Sequence, residues 1–297
     1  MSALDELSSS ARTVLSALAD SVVSIGRDGR GSGIVVAAGK VLTNAHNLRD
    51  GSTSVTFADG RSVQGSVSGV DGDGDLVVLD VDTGNAVTAA LASEAPALGD
   101  VVFTVSRGGH RTRVSFGMVA SVDVAFEGPR GRRIAGGVEH TAPLARGSSG
   151  GPLADSSGKV LGLNTHRTGG GFYVARPIDD ALRARLDGLV AGQSFERPRL
   201  GVALAPPAVA AKLRASVGLP PREGLLVRGV EPDQPAAAAG IAAGDLLVEA
   251  GGVALDSIEA LGAALVAGAG AIAITVVRGT DERVVTVSYG SGEALTG

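Results

Sequence analysis

Between Ser21 and about Val174 the chain is a succession of short apolar runs, which Gly and Asp residues separate at roughly regular spacing. The runs are rich in Val, and no segment with the spacing of an amphipathic helix lies between them. They are SVVSIG, GIVVAAG, KVLTNA, TSVTFADG, SVQGSVSGV, LVVLDV, VVFTVS, VSFGMVASV, KVLGLN and GFYVA. Many short strands without alternating helices are typical of an antiparallel sandwich or a pair of barrels. We therefore predict that residues 21–191 form a mostly β domain.

Three further segments complete the organisation of the chain. Residues 1–20 place apolar side chains at helical spacing and predict an amphipathic arm, which needs a surface to cover. Residues 192–198, GQSFERP, are polar and contain Gly and Pro, so we place a linker there. Residues 199–290 alternate strand-like and helix-like runs, which predicts a small α+β domain.

The composition excludes several classes of function. The formal net charge is −5, and a nucleic-acid partner would require a basic face, so we expect no nucleic-acid binding. The chain has no Cys, which excludes disulfides, thiolate metal sites and a cysteine nucleophile. No two of its four His have the spacing of zinc ligands, so we predict neither a metal site nor another cofactor. The longest apolar stretch, Ala260 to Val277, contains a Gly-Ala-Gly turn and a β-like end, which predicts no integral membrane segment.

The segment GSSGGPL, at 147–153, carries the strongest chemical signal. Glycines around a serine allow a turn so tight that backbone N–H groups converge beside an exposed hydroxyl, as the oxyanion of an acyl transfer requires. Taken alone, the segment also fits a plain turn or the nucleophile elbow of α/β-hydrolases. That elbow requires a following helix and, later in the chain, an acid and then a His. A Gly-Gly-Pro sequence follows Ser149 here, and the only later His is His166, so the elbow is excluded.

A triad in the order His, Asp, Ser fits the chain instead. His46 closes the run VLTNAH, Asp75 opens the run DLVVL, and Ser149 follows them. Each could therefore lie at the end of a different strand. Asp71 and Asp73 are the alternatives for the acid, because DGDGD also resembles a turn or a cation-binding loop. We favour Asp75 because it alone begins an apolar strand.

These motifs resemble those of the HtrA (Deg) family, trypsin-like serine proteases with a C-terminal PDZ domain. The family's Thr-Asn-X-His, Asp-Leu-Ala-Val-Leu and Gly-Asn-Ser-Gly-Gly-Pro-Leu correspond to TNAH at 43–46, DLVVL at 75–79 and GSSGGPL at 147–153. The sequence RLGV at 199–202 resembles the carboxylate-binding loop of the PDZ domain. The resemblance covers about residues 21–289 and implies a chymotrypsin-like double β-barrel followed by a small α+β PDZ domain.

The resemblance also implies a role for each matching residue. Ser149 would be the nucleophile, His46 the general base and then the general acid, and Asp75 the group that orients the imidazole. The N–H groups of Gly147 and Ser149 would form the oxyanion hole.

The residues before the nucleophile bear on substrate preference. The position six residues before Ser149, where trypsin-type specificity requires an aspartate, is Pro143. Because no charge is available there for a substrate Lys or Arg, we expect cleavage after small or medium aliphatic residues. We expect Asn164, Thr165 and His166 to lie along the substrate backbone, and Phe172 and Tyr173 to form the walls of the pocket.

Three positions depart from the family pattern. Ser148 replaces an Asn, Asn47 replaces an aliphatic residue, and Thr141 stands where an Asp is usual. The absent Asp could leave the activation loops, about Phe126 to Val138, poorly arranged and lower the basal activity. We expect the remaining histidines to be surface or loop residues; they are His110, His140 and His166.

A PDZ domain binds the terminal carboxylate of a peptide through free N–H groups of a loop and takes the peptide as an added strand. We expect Leu200, Gly201 and Val202 to make this contact. Ile258 and Leu261, in a predicted helix at about 257–266, would form the other wall of the groove.

The resemblance thus implies an ATP-independent serine endopeptidase that cleaves unfolded or damaged proteins, with a PDZ domain that binds hydrophobic peptide C-termini. It also implies a homo-oligomer, a trimer, for which the arm at 1–20 is the candidate contact. A catalytically silent PDZ scaffold or a chaperone-like holdase on a protease fold is the main alternative, and a metal-dependent or small-ester hydrolase fits less well. Family members usually work outside the cytoplasm, whereas residues 1–20 lack a signal-peptide pattern. We expect the cytoplasm if the chain is complete, and the cell envelope or periplasm if a leading signal or anchor has been removed.

Overall fold

The first apolar runs of the chain close into a six-stranded β-barrel. The computed structural model describes residues 2–108, 111–127, 133–195 and 198–289. The strands pair in the order β1-β2-β3-β6-β5-β4, all antiparallel, and the interior is formed by buried Val, Ile, Leu and Phe side chains. The strands are β1 (Val22–Ile25), β2 (Gly31–Ala37), β3 (Lys40–Asn44), β4 (Ser52–Thr56), β5 (Ser62–Asp71) and β6 (Leu76–Asp80), and a 3-10 turn (Ala45–Asn47) follows β3.

A second antiparallel barrel follows, with the strand order β10-β11-β12-β9-β8-β7. Its strands are β7 (Val101–Gly108), β8 (Arg111–Glu127), β9 (Arg133–His140), β10 (Pro152–Ala154), β11 (Val160–Gly169) and β12 (Phe172–Pro177). Strands β9 and β10 were not among the runs read from the sequence, because β9 is interrupted by two glycines and β10 has three residues. Strand β7 lies against β1 and β2, and one apolar cluster, with Leu42 and Phe103 among its members, extends from one barrel to the other.

Two helices cover this shared core. Helix α1 (Ala3–Leu18) begins at Ser2, whose hydroxyl and backbone form a capping box with Asp5. Helix α2 (Asp180–Val190) begins at Asp179, whose carboxylate accepts a hydrogen bond from the Leu182 N–H at 2.7 Å. The buried face of α1 includes Val14 and Leu18, which belong to the same cluster as the barrel side chains. The N-terminal arm therefore covers the chain's own barrels.

The last described segment forms a separate mixed unit. Its sheet has the order β13-β14-β15-β17-β18, with β16 paired to β15, and β13 lies at the edge. The elements are β13 (Val202–Ala205), α3 (Pro207–Ser216), β14 (Leu225–Val230), α4 (Pro235–Ala238), β15 (Leu246–Ala250), β16 (Val253–Ala254), α5 (Ile258–Ala267), β17 (Ala271–Arg278) and β18 (Asp281–Ser288). The apolar stretch at 260–277 is divided between α5 and β17, and no helix in the described ranges has the length and apolar composition to span a membrane.

The two units divide between Phe195 and Glu196. Part of the predicted linker packs on the first unit: the Phe195 N–H donates to the Val70 carbonyl at 2.6 Å, and the Val70 N–H donates to the Ser194 hydroxyl at 3.1 Å. The Phe195 ring also lies under the Arg185 guanidinium. Residues 196–197 of the linker lie outside the described residues. The prediction of a mostly β chain, two barrels followed by a small α+β unit, is confirmed.

Candidate active site

The first half of the site is formed where β3 ends beside the start of β6. These strands pair with Asn44 opposite Leu76, so the residues just beyond them, His46 and Asp75, lie at the same end of the barrel. The Asn44 side chain fixes the turn, because its amide donates to the Asp75 carbonyl at 3.0 Å. Asp75 adopts a φ of +55°, a left-handed conformation that Asp and Asn tolerate better than most residues.

His46 and Asp75 form a short hydrogen-bonded pair. Nδ1 of His46 lies 2.6 Å from Oδ2 of Asp75, and the His46 N–H donates to Oδ1 at 3.0 Å. The Thr165 hydroxyl donates to Oδ2 at 3.2 Å, and Asp75 is 1% exposed. Because a carboxylate oxygen accepts, the short contact assigns the imidazole proton to Nδ1, and Nε2 of His46 is left as the basic nitrogen.

Asp71, one of the two alternative acids, is held in an ion pair away from His46. It is buried, accepts a hydrogen bond from the Gly74 N–H at 2.9 Å and lies 2.9 Å from Nη1 of Arg185. No contact joins Asp71 to His46 among the hydrogen bonds and ion pairs of the described residues. The ion pair with Arg185 instead joins the end of β5 to α2.

Ser149 lies in a tight turn that precedes β10. Gly147 and Gly150 both have a positive φ, at +82° and +86°, and a Cβ on Gly150 would overlap the carbonyl oxygen of Ser32. The Gly150 N–H donates to the Asn164 carbonyl at 2.7 Å, which fixes the turn against β11. The Ser149 hydroxyl donates to the Thr165 carbonyl at 3.2 Å. The described part of the chain shows no hydrogen bond between Ser149 and His46.

The N–H groups beside the nucleophile are available for an anion. Neither the Gly147 N–H nor the Ser149 N–H donates to a backbone carbonyl in the described segments, whereas the Ser148 and Gly150 N–H groups do. Two free donors on either side of Ser148 are what an oxyanion hole requires.

Polar side chains of the first barrel hold this turn from the opposite side. The Ser32 hydroxyl donates to the Gly147 carbonyl at 2.8 Å, and the Ser32 N–H donates to the Ser149 carbonyl at 2.8 Å. Asn47 donates from one Nδ2 both to the Ser149 carbonyl and to the Thr43 hydroxyl, each at 2.9 Å. The sequence marked Asn47 as a departure from the family pattern, but its role depends on a partner 102 residues away.

The residues expected along the substrate divide into two groups. Pro143 and His166 are exposed, and Phe172 is partly so, whereas Asn164, Thr165 and Tyr173 are buried. The Asn164 amide donates to the Pro152 carbonyl at 2.9 Å, and the Thr165 hydroxyl is bonded to Asp75. The side chains of Asn164 and Thr165 therefore support the site from inside, and the expected place of these residues along the substrate backbone stays a prediction.

The sequence suggested that His140 is a surface or loop residue. Strand β9 instead carries it into the second barrel, where it is buried. Its Nε2 lies 3.0 Å from Oδ1 of Asn164, and its ring stacks on Tyr173 with centroids 5.9 Å apart. Since Asn164 uses its amide nitrogen on Pro152, its Oδ1 must accept, so His140 carries its proton on Nε2. Burial lowers the pKa of His140 to about 4, and the bond to Asn164 offsets only part of this effect. His110 lies outside the described residues, as do positions 128–132 of the expected activation loops.

The second unit holds the expected peptide-binding loop. The N–H groups of Leu200 and Gly201 make no backbone hydrogen bond in the described ranges, and Val202 begins the edge strand β13. Gly201 has a φ of +72°, and a Cβ there would overlap Gln234. Ile258 is 48% exposed on α5. The Leu200 side chain is buried in the core of the unit, and so is the side chain of Leu261, which was expected to form the other wall of the groove.

Known protein families and solved structures are similar to this chain in both of its units. A family model described as a trypsin-like peptidase domain matches residues 31–163, and a PDZ domain model matches residues 226–278. The HtrA-type protease AlgW, solved with a decapeptide, superposes with a TM-score of 0.61 over 94% of this chain and 98% of that chain, at 22% identity, which shows the shared fold. The chain belongs to the HtrA-type family.

Two curated relatives of this HtrA-type chain show how far the similarity extends. The probable periplasmic serine endoprotease DegP-like of Brucella suis biovar 1 is 32% identical over 237 residues, which are 75% of this chain and 44% of that protein. The putative serine protease HhoB of Synechocystis sp. is 32% identical over 242 residues, 76% of this chain and 57% of that protein. The chain thus spans about half the length of the curated relatives it matches. Within the described residues, no group of three or more His, Asp or Glu side chains could hold a metal ion.

Proposed function

We propose that this HtrA-type chain is an ATP-independent serine endopeptidase that cleaves unfolded or damaged proteins, with His46, Asp75 and Ser149 as its triad. The observation that carries the proposal is the 2.6 Å pair of His46 and Asp75, joined to the nucleophile through Thr165. The hydroxyl of Thr165 is bonded to Asp75, and its carbonyl accepts from Ser149, each at 3.2 Å. Thr165 thus connects the acid of one barrel with the nucleophile of the other.

The positions of these groups support the following first steps of the reaction. The Ser149 hydroxyl turns from the Thr165 carbonyl to Nε2 of His46, which takes its proton as Oγ attacks the scissile carbonyl. The oxyanion then accepts hydrogen bonds from the Gly147 and Ser149 N–H groups, of which each is worth about 3 kcal/mol in the transition state. Asp75 stabilises the imidazolium, which donates its proton to the leaving amine. His46 then takes a proton from water, which attacks the acyl-enzyme, and returns that proton to Oγ of Ser149 as the ester bond breaks and the acid is released.

Fluorophosphonate labelling and casein digestion test this function on the full chain. Both should be lost in Ser149→Ala and retained in Ser156→Ala, a serine of the exposed turn before β11. The absence of both in the unaltered protein, with and without peptides that have hydrophobic C-termini, would favour the alternative of a silent PDZ scaffold or holdase.

The PDZ unit captures peptide C-termini that are hydrophobic. The free N–H groups of Leu200 and Gly201 bind the terminal carboxylate, and the open edge of β13 takes the peptide as an added strand. AlgW is a relative of known structure that was solved with a decapeptide. A peptide with a free hydrophobic C-terminus should bind the full chain, and its C-terminal amide should not. Equal binding of the two peptides would contradict the carboxylate contact.

The chain also acts as a homo-oligomer, a trimer. An exposed apolar stripe, formed by Val114, Phe116 and Met118 on β8, supports a subunit contact there, whereas the apolar face of α1 is already covered. Light scattering should give the mass of a trimer for the unaltered chain and a smaller mass for Phe116→Asp. A monomer in both would contradict the assembly.

The compartment is the cell envelope. The support comes from the name of the Brucella relative, which is a probable periplasmic protein. Fractionation of the native host should find the chain with envelope proteins, and a cytoplasmic signal would contradict this location.

A further inference from the structure

Arg167 occupies the middle of the expected substrate walls. It lies in β11, two residues beyond Thr165, and pairs with Tyr173 across to β12. Its Cζ lies 5.2 Å from the centre of the Tyr173 ring, and its Nη2 donates to the Leu144 carbonyl at 3.0 Å. Leu144 follows Pro143 in the segment that leads to the nucleophile. One guanidinium therefore touches all three segments that would surround the substrate side chain next to the scissile bond.

This cation has no ionic partner among the described residues. Arg167 is exposed, and no Asp or Glu of the described segments forms an ion pair with it. The nearby Glu139 accepts a hydrogen bond from Thr168 at 3.1 Å. A guanidinium has five N–H donors, and the bond to Leu144 uses one of them, so a fork remains for another acceptor.

Further positive charge surrounds the nucleophile turn. Arg146 directly precedes Gly147 and is exposed, and the exposed Arg30 follows Gly29, whose carbonyl packs against Gly147. The only carboxylate in that loop, between Gly26 and Gly31, is Asp28. Two further exposed arginines thus lie in the segments that form or contact the nucleophile turn, although the whole chain carries a net charge of −5.

We propose that Arg167 makes this protease selective for an acidic side chain, Glu or Asp, in the residue that precedes the scissile bond. The inference rests on the proposed protease function and names its substrate class. A planar guanidinium binds a carboxylate through two parallel hydrogen bonds, and the contacts with the Tyr173 ring and the Leu144 carbonyl hold the Arg167 side chain between the walls. An aliphatic side chain in the same position would displace water from the cation without replacing its hydrogen bonds. The expectation of cleavage after aliphatic residues rested on Pro143 alone. It did not take account of Arg167, which β11 places against the segment that contains Pro143.

A set of internally quenched peptides that differ only in this residue tests the inference on the full chain. We expect kcat/KM for the Glu peptide to exceed that for the Gln and Val peptides at least tenfold and to decrease as salt is added. Arg167→Gln should abolish the preference for Glu over Gln while the Gln peptide is still cleaved. Arg167→Glu should shift the preference toward Lys. Arg12→Gln, at an exposed arginine of α1, is the matched control and should leave the preference unchanged.

The outcomes separate this inference from the function on which it rests. Cleavage of the Val peptide in preference to the Glu peptide, or an unchanged Glu-to-Gln ratio in Arg167→Gln, overturns the acidic preference and leaves the protease intact. Failure of the unaltered chain to react with fluorophosphonate and to cleave every peptide overturns the protease function itself, and the acidic preference with it. Thermal unfolding of Arg167→Gln shows whether the variant is folded. The shift of Arg167→Glu toward the Lys peptide tests the role of the charge independently.

Discussion

Two side chains of the first barrel, Ser32 and Asn47, donate hydrogen bonds to the turn that carries the nucleophile. Asn47 donates to the carbonyl of Ser149 itself. Its amide nitrogen bonds both to Thr43 in its own barrel and to the Ser149 carbonyl in the other. A residue that holds the nucleophile in this way acts on the reacting geometry without touching the substrate. We therefore regard Asn47 as a positioning residue.

Asn47→Leu removes the donor and approximates the side-chain volume. We expect kcat to decrease about tenfold with little change in KM, because the lost bond orients Ser149 and does not bind substrate. The rate of fluorophosphonate labelling should decrease in parallel. Asn85→Leu, at an exposed asparagine, should change neither. A variant with normal kcat but a lowered Tm would instead assign Asn47 a purely structural role.

The buried His140 makes the first unit sensitive to acid. Its pKa is lowered to about 4 in the folded protein, whereas an unfolded histidine titrates near 6.5. Between these values the unfolded chain binds more protons, so the free energy of unfolding decreases as the pH falls from about 6.5 to 4, by on the order of 3 kcal/mol. Above about 6.5 this contribution is fully present.

Urea unfolding of His140→Gln measures this contribution. Gln can still donate to Asn164 but cannot titrate, so the dependence on pH between about 4 and 6.5 should flatten. His166→Gln, at an exposed histidine, serves as the comparison. An equally steep pH dependence in His140→Gln would show that another group is responsible.

At the scale of elements, helix α1 is part of the first unit. Leu18 is fully buried in the core that the two barrels share, whereas Leu4, on the same helix, is 75% exposed. Leu18→Ala should reduce the free energy of unfolding of that unit by about 3 kcal/mol, as buried Leu-to-Ala changes do. Leu4→Ala should change it by less than about 0.5 kcal/mol. Chemical denaturation of both variants checks the pair. If the two variants were equally stable, the packing of α1 on the barrels would be contradicted.

The elements also explain what the sequence could and could not predict. Most strands were predictable because each is a continuous apolar run between turns, and His46, Asp75 and Ser149 stand in short motifs that can be recognised locally. Strand β9 was missed because glycines interrupt it, and with it the burial of His140. Thr165 and Arg167 had to be placed by pairing across the barrel, since their partners lie in distant segments. Roles that depend on such partners have no local signal.

At the scale of the whole molecule, the chain consists of two units with separate cores. In the second unit, the Arg278 guanidinium bonds to both carboxylate oxygens of the buried Asp245, at 2.7 and 2.8 Å. Burial raises the pKa of Asp245, but the bonds from Arg278 and the Ala242 N–H outweigh this effect and leave the pKa below its usual value. The resulting stabilisation is present above about pH 4 and is lost as the pH falls through the folded pKa.

The separate cores predict two unfolding transitions that respond to different substitutions. In a Ser149→Ala background, Asp245→Asn should lower the stability of the second unit by about 1–3 kcal/mol at neutral pH and leave the first unchanged. The chain has no Trp and two Tyr, of which Tyr173 lies in the first unit and Tyr289 in the second. Tyrosine fluorescence of Tyr173→Phe and Tyr289→Phe therefore assigns each transition to its unit.

Asp281→Asn, at an exposed aspartate of β18, is the matched control and should leave both transitions in place. A single cooperative transition that Asp245→Asn and His140→Gln shift together would contradict independent units.

Two transitions that move separately would mean that acid destabilises the two units in different pH ranges. Acid would then weaken the first unit between about pH 6.5 and 4, through His140. It would weaken the second only below about pH 4, so the peptide-binding unit would keep its stability in a pH range where the catalytic unit is losing it.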